Sequence, residues 1–386
     1  MSISTFDIED VRRRFTNLGE LAFLDGTGGT QVPDEVADAM ADYLKRSSAN
    51  VGAPYGTSRR TEAVIERSRE LAARFLGCSP EETIFAANST TMVFNLTRTA
   101  TRDFKPGDEI LVTKLEHDSN VAPWLHVAED RGLVVREAAI TNDLRIDLDD
   151  LTAKLTDRTK VVAFPWGANS CGTLTDAAAV CALAHEAGAI AWVDAVHYAA
   201  HGAIDVEAIG ADVLVCSPYK FCGPHLGVAY GRRELLESWR PYKVRPGASE
   251  PLGHRFETGT LPHELLAGFV ATIEYLDAIG GMEAIAPYEH ELGQHLLDGL
   301  PEAVELYGAQ TMEGRLPTYM LNVRGRSAEE VAVGLAERGV AAWHGNYYSL
   351  GVFERLGIES AVRVGVSHYN TETEIDLLLA GLADIA

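Results

Sequence analysis

The sequence predicts an α/β protein with a mostly parallel sheet flanked by helices, followed by a smaller C-terminal α/β unit. Three observations carry this. Short Val- and Ile-rich runs alternate with helical patterns from about residue 80 onward. Polar residues gather just past the ends of those runs. Beyond residue 260 the pattern changes to long helices and a second, smaller set of strands.

Taken in order, "ETIFAA" (82–87) reads as a strand and "STTMVFNLTRTA" (89–100) as a helix. "DEILVT" (108–113) is a strand, with a helix expected to begin near Ser119. "LVVREA" (133–138), "KVVAFP" (160–165), "AIAWVD" (189–194) and "DVLVCS" (212–217) are further strands, with "DAAAVCALAHEAG" (176–188) a helix between two of them. The segment from His263 to Leu300 reads as helical apart from Gly280, Gly281 and Pro287. "PTYMLNV" (317–323) and "AVRVGVS" (361–367) belong to the smaller unit. The expected organisation is an N-terminal segment (1–19) packed on the small unit, a large domain (20–262), and a linking helix with the small domain (263–386).

A chain of 386 residues with 46% hydrophobic content can bury a large core. Its net charge of −23 argues against binding a phosphate backbone, which needs clustered Lys and Arg. The N-terminus lacks the apolar core of a signal peptide, and no run of eighteen apolar residues suggests a membrane span. The five cysteines are scattered and match no zinc spacing, so reduced thiols in the cytoplasm are expected.

In open parallel sheets, ligands bind outside the carboxyl ends of the strands. The polar residues falling there are Ser89, Thr90 and Thr91, then His117, Asn169, Asp194 with His197, and Ser217 with Lys220. Each also fits a plainer role. The hydroxyls can cap a helix, Asn169 can serve a turn beside Gly167 and Gly172, and His117 and Lys220 can be loop residues. Together they describe something more specific. A helix N-terminus holds a phosphate. An aspartate keeps a pyridine nitrogen protonated, an imidazole stacks on an aromatic ring, and a lysine forms a Schiff base with an aldehyde. Those functions define a site for pyridoxal 5′-phosphate (PLP), with Lys220, His117 and Asp194 as the catalytic group.

On these residues the chain resembles fold-type-I PLP enzymes of the class V aminotransferase group, in its cysteine desulfurase and selenocysteine lyase branch. "PGDEILVTKLEHDSNVAPW" (106–124) is similar to the family's stacking-histidine segment, and "NSTTMVFNL" (88–96) to its phosphate segment with Thr90 and Thr91. "VDAVHYAAHGAIDV" (193–206) carries Asp194 and His197, and "SPYKFCGPHLGVAYG" (217–231) carries Ser217 and Lys220. "FLDGTGGTQVP" (23–33) resembles a small-residue loop near the substrate. The resemblance implies a seven-stranded sheet and a homodimer with shared sites, in which Thr260 of "RFETGT" reaches a neighbour's phosphate. It also implies that Arg363 of "VRVGVSHYNTETEID", with Asn169, holds the carboxylate of a small amino-acid substrate.

The departures fall where substrate and leaving group would lie. Desulfurases carry a nucleophilic cysteine on a C-terminal loop, whereas "AAWHGNYYSLGVFERLG" (341–357) has none, and no cysteine follows Cys222. Tyr219 replaces the histidine before the lysine, and "SANVGAPYGTSRR" (48–60) lacks the usual His-Arg pair. A C–S or C–Se lyase-type reaction needing no enzyme thiol is therefore expected, with no sulfur acceptor specified. His344, Tyr347 and Tyr348 are candidate acids or substrate contacts, or plain loop packing. Transamination, epimerisation, decarboxylation-linked chemistry and a non-catalytic PLP-fold protein are the alternatives. A nicotinamide dehydrogenase is excluded by the missing dinucleotide fingerprint.

Overall fold

The computed structural model describes residues 6–245 and 247–386. Its main sheet has seven strands in the order Thr83–Ala86, Gly227–Gly231, Val213–Cys216, Ile190–Asp194, Thr159–Pro165, Glu109–Thr113 and Val134–Ala138. The six strands expected from sequence are all present, each end within one residue. The seventh, Gly227–Gly231, runs antiparallel to both neighbours. That return has a consequence for function. A parallel continuation would carry the chain back across a face of the sheet, whereas an antiparallel one keeps residues 217–226 at the carboxyl edge, and Lys220 with them. Gly227 is required there, because a Cβ would lie 2.6 Å from the backbone of Asn88.

Both faces of the sheet are buried, as a parallel sheet demands. Leu111, Phe164, Val193 and Leu214 point to one side, and Val112, Ala163, Trp192 and Val215 to the other. The four-stranded antiparallel sheet has the order Trp343–Gly345, Ala361–Gly365, Thr318–Val323 and Val304–Tyr307. Helices Ala328–Ala336 and Glu372–Ile385 bury Leu335, Ile375 and Leu378 with its Leu321 and Val362. Arg12, in helix Ile8–Arg13, donates to the Tyr369 carbonyl at 2.7 Å and pairs with Glu374 at 3.0 Å. Ala22–Phe23 runs parallel to Val340–Ala341. Among the described residues, no single helix is long and apolar enough to cross a membrane.

Two local expectations need correction. The helix expected near Ser119 begins at Ala122, after a 3₁₀ turn over Asp118–Asn120 in which Ser119 N–H is taken by the His117 ring. Pro287 does not interrupt its segment, since Gly281–Gly299 is one helix. Burial of Ile285, Leu292 and Leu296 along that helix outweighs the single hydrogen bond that proline removes.

One buried ion pair braces the strand that leads into the site. Glu257 takes two bonds from Arg69, at 2.7 and 2.8 Å, and a third from the Phe85 N–H at 3.0 Å. Arg69 in turn donates to the Thr83 carbonyl at 2.8 Å. Burial alone would raise the Glu257 pKa, yet His254 and Arg69 hold it below the usual glutamate value. Because the folded-state pKa is depressed, this contribution is present above pH 4.5 and is lost as pH falls through the lower folded value. Glu257→Leu strands the Arg69 guanidinium and is expected to cost about 3–5 kcal/mol in urea unfolding. A loss below about 1 kcal/mol would show that the pair does not brace the sheet.

Candidate active site

A cavity of about 250 Å³ opens at the carboxyl ends of the parallel strands, between the two sheets. Thr90, His117, Asn169, Asp194, His197, Lys220 and Arg363 all line it. These residues come from six separate stretches of chain, five of them at the carboxyl edge of the main sheet and the sixth, Arg363, on the smaller sheet facing it.

Lys220 follows strand Val213–Cys216 in a single 3₁₀ turn begun by Pro218, whose ring presets the backbone. The side chain is buried, and its Nζ donates to the Thr27 carbonyl and to the Gly28 carbonyl at 3.2 Å. It lies 4.6 Å from the centre of the Tyr219 ring, which stacks on His225. Burial removes solvation from the ammonium, and Arg363 repels it, so its pKa falls from 10.5 to about 7. Lys220 is thus a reactive amine near neutral pH.

Asp194 ends strand Ile190–Asp194, and its Oδ1 accepts the Val196 N–H at 2.8 Å. Burial raises its pKa to about 6, against the pull of that bond and of Lys220, leaving it mostly ionised at pH 7. His117 accepts the Ser119 N–H on Nδ1 at 3.0 Å, which leaves the proton of the neutral ring on Nε2. Its pKa is lowered to about 4 by burial, then by Lys220 and Arg363, so the ring is neutral. His197 meets the Thr318 hydroxyl at 3.0 Å, and Thr318 meets Thr27 at 2.7 Å.

Arg363 sits on strand Ala361–Gly365 with its side chain 3% exposed. It donates to the Asn169 carbonyl at 3.2 Å and to Asp25 at 3.3 Å, with its guanidinium over Tyr347 and Trp343. Asn169 holds the facing loop rather than standing free. Its Nδ2 donates to the Tyr347 carbonyl at 2.9 Å and its Oδ1 accepts from Ser349 at 2.8 Å. The Asp118 N–H donates to the Tyr348 carbonyl at 2.8 Å. Tyr347 and Tyr348 both take left-handed backbone, with φ of 54° and 57°, a costly conformation for bulky side chains that these contacts enforce. Of the loop candidates, Tyr347 and Tyr348 line the cavity and His344 does not.

Three expected site residues stand elsewhere. Ser217 is buried and donates to the Leu226 carbonyl at 2.8 Å, closing the turn that presents Lys220. Thr91 and Thr260 are exposed and line a separate hollow beside helix Ser89–Ala100. In the other direction, Asp25, Thr27 and Gly28 entered the site without having been singled out. Their signal was present: Asp25 is the one charge in the stretch 23–33 of small and apolar residues. Glu116 is buried, and burial, then the nearby charge of Asp194, pushes its carboxyl well above the usual glutamate range. None of the five cysteines lines the cavity.

A family profile described as "Aminotransferase class-V" matches residues 22–378. A cysteine desulfurase of Synechococcus elongatus is 32% identical over 98% of this chain, and the match spans 64% of that longer protein. A probable cysteine desulfurase of Streptomyces coelicolor is also 32% identical, covering 98% of this chain and 97% of its own. Among solved structures, a cysteine desulfurase of Thermococcus onnurineus superposes with a TM-score of 0.93 at 29% identity, over 98% of both chains.

The buried amine gives a direct test. At pH 7 about half of Lys220 is free base, against roughly 0.03% for an ordinary lysine. Reductive alkylation of Lys220 by a small aldehyde, followed by peptide mass spectrometry, is expected to rise with a midpoint near pH 7. Arg363→Gln removes the main repelling charge and should move that midpoint upward. A wild-type midpoint near 10 would rule out the desolvated amine.

Proposed function

The chain belongs to the class V aminotransferase family, and from that premise we propose a PLP-dependent C–S (or C–Se) lyase-type reaction on a cysteine-like amino acid, without an enzyme persulfide. The donor set fits the cofactor. Lys220 supplies the amine for its aldehyde, and the Asp194 carboxylate suits a pyridinium nitrogen. His117 has the flat neutral face for stacking. The first N–H groups of helix Ser89–Ala100, with Ser89 and Thr90, suit its phosphate. Thr91 and Thr260, exposed together outside the cavity, suit contacts made across a homodimer.

The chemistry the cofactor supplies when bound is imine exchange with the substrate amine and storage of the electron pair left at Cα. The remaining work falls to the chain. Arg363 binds the substrate carboxylate by its two-pronged fork, and Asn169 fixes the loop beside it. Lys220, a free base near neutral pH, takes the Cα proton. Asp194 would hold its negative charge toward the pyridinium nitrogen, and the flat neutral ring of His117 would stack on the cofactor. With the Cα proton gone, departure of a thiolate from Cβ leaves an unsaturated amino acid, which hydrolyses to pyruvate and ammonia.

One observation carries this reading over sulfur transfer to the protein. The loop facing Arg363 is docked by Asn169, Ser349 and Asp118, and presents Trp343, Tyr347 and Tyr348 to the cavity where a nucleophilic thiol would be needed. A sulfur leaving group then departs to solution.

A screen of cysteine, cystine, S-substituted cysteines and selenocysteine with the PLP-loaded protein, read by mass spectrometry, decides the outcome. Pyruvate with ammonia is expected, and Lys220→Ala should abolish both products together with the covalently held cofactor. Alanine with a protein-bound persulfide would overturn the lyase reading. A keto acid with pyridoxamine phosphate would identify an aminotransferase.

A further inference from the structure

Behind the cavity lies a second set of buried ionisable groups that the reaction above does not use. His201, seven residues past Asp194, packs its ring against His197 edge to face, with centres 5.1 Å apart and planes at 78°. His201 Nδ1 pairs with Glu289 Oε2 at 2.7 Å, with both side chains 6% exposed or less. Glu289 comes from helix Gly281–Gly299, outside the main sheet. Its other oxygen faces His368 Nδ1 at 4.0 Å, and His368 Nε2 pairs with the Tyr275 hydroxyl at 2.8 Å. Helix Gly281–Gly299, the C-terminal unit and the sheet edge thus meet at one carboxylate.

Such a cluster is a poor way to gain stability. Taking a carboxylate and an imidazole out of water costs more than a well-packed apolar pair would, so a buried pair has to be explained by what it holds in place. What it holds here is geometric. Glu289 fixes the His201 tautomer by accepting from Nδ1, and so fixes the orientation of the ring. That ring is the wall against which His197 rests, while the Thr318 hydroxyl holds the other side of His197 at 3.0 Å. His197 itself lines the cavity. We propose that Glu289 is a positioning residue for the cofactor pocket, acting through His201 to set the orientation of His197. Glu289 touches neither cofactor nor substrate. The inference rests on PLP occupying the cavity and is independent of which reaction follows.

The test is a mutant cycle read by PLP binding to the full-length protein. Glu289→Leu is expected to raise the PLP dissociation constant about tenfold and to alter the visible circular dichroism of the bound cofactor. In a His197→Ala background the same substitution should change binding less than about twofold, because the residue it acts through is gone. Glu289→Gln, whose amide oxygen still accepts from His201, should stay within about twofold of wild type. If Glu289→Leu does not fold, His201→Phe takes its place in the cycle with the same two expectations. Equal loss in both backgrounds, or no loss in either, would overturn the proposal. Wild-type protein that takes up no PLP would overturn the cofactor assignment along with it, which separates the two failures.

Discussion

Two basic side chains buried in one cavity set the terms for the rest of this molecule. Lys220 and Arg363 are both almost fully excluded from water, and the charge of Arg363 works against protonation of Lys220. An unpaired buried charge costs several kcal/mol, so the fold has to bring partners to them. Asp25 pairs with Arg363, Asp194 draws on Lys220, and two backbone carbonyls of the N-terminal loop accept from the amine. No one segment could supply these groups. The N-terminal loop, two strand ends and the C-terminal strand are held together partly by the need to solvate the two charges.

The same arrangement makes the amine chemically useful. Desolvation lowers its affinity for a proton, and the partners that keep the fold from rejecting it are carbonyl dipoles and two carboxylates, Asp25 and Asp194, neither of which hydrogen-bonds the amine and restores its basicity. The antiparallel strand Gly227–Gly231 matters in this light. By turning the chain back at the carboxyl edge it places Lys220 beside Asp194, and Ser217 spends its hydroxyl on closing that turn.

The facing loop is held in place by the residues of the site it covers. Asn169 lies among the site residues by position, yet its side chain ties down residues 347–349. Tyr347 and Tyr348 accept an unfavourable backbone conformation in order to sit against Arg363 and His117. The strain is local and is offset by burial of the Tyr347 ring and by hydrogen bonds with Asn169 and Asp118 from two other segments.

Much of this was legible in the sequence because its causes are local. Period-two and period-3.6 patterns gave the six strands and their helices, and strand ends pointed to His117, Asp194 and Lys220, since a polar residue after a buried run stands out by itself. The strand Gly227–Gly231 was missed because its five residues, glycine at both ends, carry too little apolar pattern to register. Pro287 was misread because the packing that rescues its helix lies far away in sequence. Which of the hydroxyls face the cavity was likewise beyond local pattern: Thr90 and Thr91 are adjacent, and only helix phase sends one inward and the other out. Asp25 reaches Arg363 across 338 residues, and Glu289 reaches His201 across 88. The chain's own order determined its elements and the chemical types at their ends. Tertiary folding decided which charges were left without water and which distant groups had to answer them, because desolvation depends on everything that surrounds a residue and on little that precedes it.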